Sequence, residues 1–413
     1  MESDPNGTLR ESLPDARLAR WRADTPGCSS RVHLNNAGAA LMPTPVLRAT
    51  IAHLELEANL GGYEAADACT AQIDRSYEDI AALLSAAPRN IAVVANATAG
   101  FIQALSTIDF KPGDAIVTSR CDYTSNQIQY LALKQRLGVQ VLHAADLPEG
   151  GIDPDSVRDL LQQHRCRLVA ISWVPTNSGL VQDVESVGRV CREFEIPYLI
   201  DACQAAGQIP MDVAQLGCDY LSFTARKFLR GPRGIGALYV SDRALARGDY
   251  PLFVDMRGAR WLAGDQIEIE PTARRFEDWE FPYALVLGQG AAVRYAMEVG
   301  IDTAQARDWQ LAAHTRARLQ SIDGVQVLDR GQRRCAIVTA SVRGWHAADA
   351  VKALALRGIN TSASLREYGI IDFGDRGVDS AVRISPHYYN TTDEIEQLAA
   401  AVAELASTRH HSP

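Results

Sequence analysis

Short apolar runs of strand length recur through the middle of the chain, and stretches of amphipathic helix separate them. The runs Ala115–Thr118, 168–174, Tyr198–Asp201 and Gly236–Val240 read as strands, with helices such as 125–137 and 184–194 between them. Strands that are apolar on both faces need cover on both sides, so this alternation predicts an α/β fold with a mostly parallel sheet between helical layers. It runs from Tyr63 to about Ala292. The expected division is an N-terminal arm over 1–30, a large domain over 31–292 and a smaller α+β C-terminal domain over 293–413. A helix at 284–299 leads into the smaller part and one at 392–405 closes it. The arm carries a short helix at 12–21 and is expected to be loose. With 413 residues, 47% of them hydrophobic, the chain can fill more than one core.

In open sheets of this kind ligands gather at the carboxyl ends of the strands. The run Tyr198-Leu199-Ile200-Asp201 delivers a carboxylate to that edge and then turns through small residues. Taken alone, Asp201 fits equally well as a helix cap. Lys227 follows after 227 − 201 = 26 residues, room for one helix and one further strand, so both side chains can face one site. An amine that attacks a carbonyl needs a lowered pKa, and burial beside Arg226 and Arg230 supplies one. Thr224, three residues before the lysine, can hydrogen-bond a phosphate. By itself, a lysine in a basic segment is more often a solvated surface group. Upstream, Thr98 and Ala99 follow the apolar run 91–95 and open a helix, which suits either an anion at the helix N-terminus or a plain cap.

The formal net charge of −9 argues against nucleic acid or an anionic membrane as partner. No apolar run approaches spanning length, and Met1-Glu2-Ser3-Asp4-Pro5 lacks the basic start of a secretory signal, so a cytoplasmic protein is expected. The eight cysteines contain no Cys-x-x-Cys pair, which points to reduced thiols rather than to a disulfide framework or a metal site. His410 and His411 sit in a polar tail and are not expected to be ligands.

With these residues in view, the chain resembles the class V aminotransferase and cysteine desulfurase family of pyridoxal-phosphate (PLP) enzymes, which have fold type I. The resemblance runs from about His33 to the C-terminal helix. It rests on His33-Leu34-Asn35-Asn36-Ala37-Gly38, Asn96-Ala97-Thr98-Ala99-Gly100, Pro175-Thr176-Asn177-Ser178-Gly179, Asp201-Ala202-Cys203-Gln204, Arg226-Lys227, Gly231-Pro232-Arg233-Gly234 and Val382-Arg383-Ile384-Ser385 taken together. It implies a Schiff-base role for Lys227 and a partner for the pyridine nitrogen in Asp201. Thr98, Ala99, Thr224 and Arg226 are implied at the cofactor, Tyr123 stacked on its ring, and Asn177 and Gln204 at its hydroxyl. Asn36, Ala37, Gly38 and Arg383 are implied at the substrate, with Arg383 gripping its carboxylate. A homodimer is also implied, and 260–279 and Gly61-Gly62-Tyr63 are the segments expected to reach across it.

The departures narrow the expected activity. Cysteine desulfurases carry a nucleophilic cysteine upstream of the carboxylate-binding arginine, and 358–382 contains none. Arg226 stands where that branch often has histidine, and Asp278-Trp279-Glu280 where a Gly-Thr pair often completes the partner's phosphate site. In these respects the chain is similar to the C–S lyases of ergothioneine and lincosamide biosynthesis. That similarity implies β-elimination of a cysteine S-conjugate to a thiol, pyruvate and ammonia. An aminotransferase, an epimerase or a decarboxylation-coupled oxidative deaminase would use the same residues.

Overall fold

The computed structural model describes residues 15–408. His410, His411 and the first residues of the helix expected at 12–21 lie outside them. The large sheet is built from β1 (Ile91–Val94), β2 (Ala115–Thr118), β3 (Gln140–His143), β4 (Cys166–Ser172), β5 (Tyr198–Asp201), β6 (Tyr220–Thr224) and β7 (Gly236–Val240). Its order is β1-β7-β6-β5-β4-β2-β3. Only β7 runs against its neighbours; the pairs from β6 to β3 are parallel. The carboxyl ends of β1, β2, β4, β5 and β6 therefore open on one edge, and the chain enters β7 from that same edge.

Helix α2 (Thr44–Leu60) precedes these strands, and α3 (Ala97–Ser106), α4 (Thr124–Leu137) and α5 (Val184–Glu193) connect them. They follow α1 (Asp15–Ala23). Strand β4 ends two residues before the expected 174, because its pairing with β5 stops at Ser172 opposite Asp201. Val169, Ile171, Ile200, Leu221 and Phe223 enter one buried cluster and Leu168, Ala170, Leu199 and Tyr220 another, so both faces of the sheet are covered.

Helix α6 (Tyr283–Val299) is continuous through 292, the expected division, and continues into α7 (Ile301–Gln320). Beyond it, an antiparallel sheet of β8 (Val325–Val327), β9 (Val338–Val342), β10 (Ser362–Leu365) and β11 (Ser380–Ile384) has the order β8-β9-β11-β10. It packs with α7, α8 (Ala347–Leu356) and α9 (Thr392–Ser407) around Leu311, Val338, Val382 and Leu398. Leu34, from the other end of the chain, completes this core.

The described part of the N-terminal arm is docked rather than loose. Leu18 and Trp21 are buried with Tyr295, Tyr388 and Tyr389, and the Trp21 and Tyr388 rings meet edge-on at 5.1 Å. Arg22 donates to Glu394 and to the Tyr389 carbonyl, each at 2.9 Å. An antiparallel hairpin, Ala259–Ala263 with Gln266–Ile269, stands outside both sheets. No helix among the described residues is long and apolar enough to cross a membrane.

Candidate active site

The sheet's carboxyl edge holds a cavity of about 300 Å³. It is lined by Thr98 after β1, Tyr123 after β2, Ser172 at the end of β4, Asp201 at the end of β5, and Thr224 and Lys227 at the end of β6, together with Gln204 and Arg226. Residues separated by up to 129 positions meet because each follows a strand of the same sense.

Lys227 is buried, and burial is the main cause that lowers its pKa from the ordinary lysine value. Cys203 and Asp201 oppose the shift, while Arg226 and Arg383 add to it. Arg230, expected to act on the lysine, turns away. It adopts a left-handed φ of 61° and donates to Leu41 O at 2.9 Å and Tyr388 Oη at 2.7 Å, with its guanidinium over the Tyr389 ring. Its work is to pin the turn that carries the lysine. His387 holds the same turn by hydrogen-bonding Phe228 O at 2.8 Å while pairing with buried Asp308. Gly207, at φ 94°, lets the segment after Asp201 press on this turn; a Cβ there would lie 2.4 Å from Leu229 N.

Asp201 accepts from Cys203 N at 2.9 Å and from Asn126 Nδ2 at 3.2 Å. Behind it lies buried Asp122, which accepts from Thr118, Tyr130, Ser172 and the Tyr123 amide at 2.5–3.0 Å. Burial raises the Asp122 pKa, and the bonds from Ser172, the Tyr123 amide and Thr118 oppose the rise. Asn126, on the first turn of α4, carries no motif that marks it in the sequence, and its contact with Asp201 depends on packing across 75 positions.

Thr98 and Ala97 line the cavity at the start of α3. Ala99 does not: its amide donates to Asn96 Oδ1 at 2.9 Å, so it is spent on the helix cap. Asn177 also departs from expectation. It donates to Asp372 at 3.0 Å, and its neighbour Thr176 lines the cavity in its place. Gln204 donates to Ala37 O at 3.1 Å and Thr176 Oγ1 at 3.2 Å, which leaves its buried Oε1 without a partner.

The segment 36–38 adjoins the cavity without lining it. Asn36 is wholly buried and used structurally: it donates to Ser385 O at 2.7 Å and accepts from Tyr389 Oη. Ala37 O serves Gln204 and Gly38 O accepts from Arg226. Asn35, rather than Asn36, meets Arg383, its Oδ1 lying 3.4 Å from Nη2. Arg383 also donates to Thr176 Oγ1 at 2.6 Å, while its buried Nε has no partner. Burial, with Arg226 nearby, pushes the Arg383 pKa down to about 10. A buried amine, a carboxylate, a helix N-terminus and an incompletely paired arginine thus share one cleft, as a carbonyl cofactor with an anionic tail and an amino-acid substrate require.

Known proteins are similar to this chain over nearly its whole length. A probable cysteine desulfurase of Methanothermobacter thermautotrophicus is 28% identical over 397 residues, covering 93% of this chain and 97% of that protein. The cysteine desulfurase of Thermococcus onnurineus NA1 superposes with a TM-score of 0.87 at 22% identity, over 97% of this chain and 99% of that one. The cystine C–S lyase C-DES, in complex with its product cysteine persulfide, gives a TM-score of 0.82 at 23% identity over 92% and 99% of the two chains. The pattern that defines class-V aminotransferases matches residues 32–398, and the chain belongs to that family.

Proposed function

We propose that this protein is a C–S lyase that splits an S-substituted L-cysteine by β-elimination to a thiol, pyruvate and ammonia. It is a PLP-dependent enzyme acting on carbon–sulfur bonds. The residues present fit that cofactor, since the buried and unpartnered Gln204 Oε1 and the lowered pKa of buried Lys227 both call for a group that pairs with them. Thr98, Thr224 and the start of α3 would hold the phosphate, Tyr123 the ring face, Gln204 the ring hydroxyl and Asp201 the pyridine nitrogen. When bound, the cofactor supplies an electron sink for negative charge at the substrate Cα.

The protein's own groups perform the remaining work. Arg383 grips the substrate α-carboxylate, and Thr176 and Asn35 set the plane of its guanidinium. Lys227 Nζ, whose pKa burial lowers, takes the proton from Cα. The Cβ–S bond then breaks, its electron pair leaves with sulfur, and the thiolate takes up a proton to depart as thiol. Water hydrolyses the remainder to pyruvate and ammonia.

The observation that carries elimination over persulfide transfer concerns thiols. Segment 358–382, which holds β10, the short helix Ile370–Asp375 and the first residues of β11, has no cysteine. Cys203 lines the cavity, but burial, followed by Asp201, pushes its thiol far above the usual range, so it is protonated and a poor nucleophile. The test is to incubate the holoenzyme with S-substituted cysteines and follow pyruvate and thiol. Stoichiometric release without an amino acceptor, retained in Cys203→Ala, supports the reading. An absolute need for a keto-acid acceptor, or release of carbon dioxide, refutes it.

A homodimer accompanies this reading. Tyr63, Phe253 and Trp261 are 70%, 86% and 80% exposed, aromatic surface that a second copy would cover. An active monomer in sedimentation refutes it.

A further inference from the structure

His387 and Asp308 are wholly buried, and neither takes part in the steps proposed for Lys227 and Arg383. His387 Nδ1 lies 2.9 Å from Asp308 Oδ2 and 3.1 Å from Oδ1, and Nε2 lies 2.8 Å from Phe228 O. A carbonyl oxygen only accepts, so Nε2 carries a hydrogen, and a second hydrogen lies between Nδ1 and the Asp308 carboxyl. Both nitrogens of the ring are therefore committed. Its faces are packed too: the Phe228 ring meets it edge-on at 5.2 Å, and the Tyr388 ring lies 4.3 Å away.

Phe228 O is left to this donor by its own turn. After Lys227 the chain bends back with Arg230 N donating to Lys227 O at 2.8 Å and Gly231 N to Ala225 O at 2.7 Å, and both bonds pass Phe228 O by. Gly207 crowds the same carbonyl, and a Cβ there would come within 2.5 Å of its oxygen. The peptide next to the lysine thus takes its orientation from the imidazole. His387 stands four residues after Arg383, and between them Ser385 is bonded to Leu34 O and to Ala37 N. The carboxylate of an amino acid is one bond from Cα, so a grip on the carboxylate and a base at the α-hydrogen must keep a fixed separation. The stretch 383–387 touches both.

We infer that His387, oriented by Asp308, is a positioning residue: through Phe228 O it sets the turn that aims Lys227 Nζ at the substrate α-hydrogen, and it keeps that turn in register with Arg383. This rests on the roles given above to Lys227 and Arg383, though not on elimination as the outcome. Without the hydrogen on Nε2 the buried Phe228 O loses its donor, and the turn rotates to find another. A displacement of about 1 Å at the base is worth roughly a hundredfold in rate.

The two bonds of the ring can be removed one at a time. The Asn amide nitrogen falls where Nδ1 stands, so His387→Asn keeps a donor toward Asp308 and loses the one to Phe228 O. The Gln nitrogen reaches the Nε2 position, so His387→Gln does the reverse. The probe is L-alanine, which has no leaving group, and exchange of its α-hydrogen with heavy water is followed by NMR in the holoenzymes. The maximal exchange rate should fall about a hundredfold in His387→Asn and no more than about tenfold in His387→Gln, with half-saturation within a few-fold of wild type in both. The cofactor absorbance should titrate at a pH displaced by about half a unit or more in His387→Asn alone, since Nζ then sits differently against Asp201 and Arg226. Equal losses in the two variants, a loss carried by half-saturation, or no exchange by wild type overturns the inference. Where His387→Asn does not fold, His387→Gln still decides, because a fall beyond about tenfold despite its donor overturns the inference and a smaller one supports it. Exchange of alanine by wild type without pyruvate from any S-substituted cysteine refutes the elimination reading and leaves this inference standing, so the two fail separately.

Discussion

Asn126 Nδ2 lies 3.2 Å from Asp201 Oδ2, and the same nitrogen lies 3.3 Å from Asp122 Oδ1. One amide thus donates a hydrogen to each of two buried carboxylates and keeps them from facing each other bare. Asn126→Leu removes both hydrogen bonds and leaves two buried acceptors short, at a cost of about 1–3 kcal/mol. We expect PLP to bind roughly tenfold to a hundredfold more weakly in this variant. Cofactor release followed by absorbance measures this, and unchanged affinity would show that Asp201 is set without Asn126.

Lys227 is expected to be the residue that holds the cofactor covalently. Borohydride reduction of holoenzyme followed by peptide mapping should place the pyridoxyl group within 222–231. Lys227→Ala should lose turnover, by several orders of magnitude, while the apo protein keeps its fold. A modified lysine elsewhere, Lys134 for example, defeats the assignment.

Arg383 makes its contacts with Thr176 and Asn35, and on the proposed reading shortening it leaves the substrate carboxylate without a bidentate partner. Arg383→Gln should reduce kcat/KM by about a hundredfold, mostly through KM, as a lost charge-assisted pair of ~3 kcal/mol implies. A loss confined to kcat would mean that the arginine acts on the reacting atoms instead.

Glu277 shows how burial alone makes stability depend on pH. Its carboxyl accepts from Tyr77 Oη at 2.7 Å and Val93 N at 2.9 Å, yet burial, its largest influence, raises its pKa to about 7 from the ordinary 4.5. Between those values the folded protein binds a proton that the unfolded chain does not, so stability falls as pH rises through this window. Glu277→Gln keeps an acceptor for both donors and removes the titration. Its stability relative to wild type should climb between pH 5 and pH 8, by no more than about 3 kcal/mol. Denaturant unfolding at the two pH values checks this, and a constant difference contradicts it.

The site was readable in the sequence where position along a strand decides what a residue faces. Asp201 and Thr224 close apolar strands, and Lys227, Thr98 and Tyr123 follow them closely, so strand direction alone brings them to one edge. Legibility failed where side chains alternate or where distant parts decide. Thr176 lines the cavity and Asn177 turns to Asp372, a one-residue difference that turn chemistry does not resolve. Asn35, for which no role was expected, meets Arg383 where Asn36 was expected to act, because Asn36 is taken by Ser385 and Tyr389 from the far end of the chain. Arg230 reads as a neighbour of Lys227, yet three tyrosines beyond position 294 draw it away. The arm is docked for the same reason: its aromatic partners lie more than 270 residues downstream.

The pairing of Asn35 with Ser385 joins two parts of the chain 350 positions apart. All residues lining the cavity fall between 96 and 234, so during synthesis they emerge long before Arg383 and Ser385. A partly made chain therefore holds every residue of the cavity lining while lacking Arg383, and the wall at 35–38 has nothing to close against. On the proposed role of Arg383, competence to recognise an amino acid is the last property the growing polypeptide acquires.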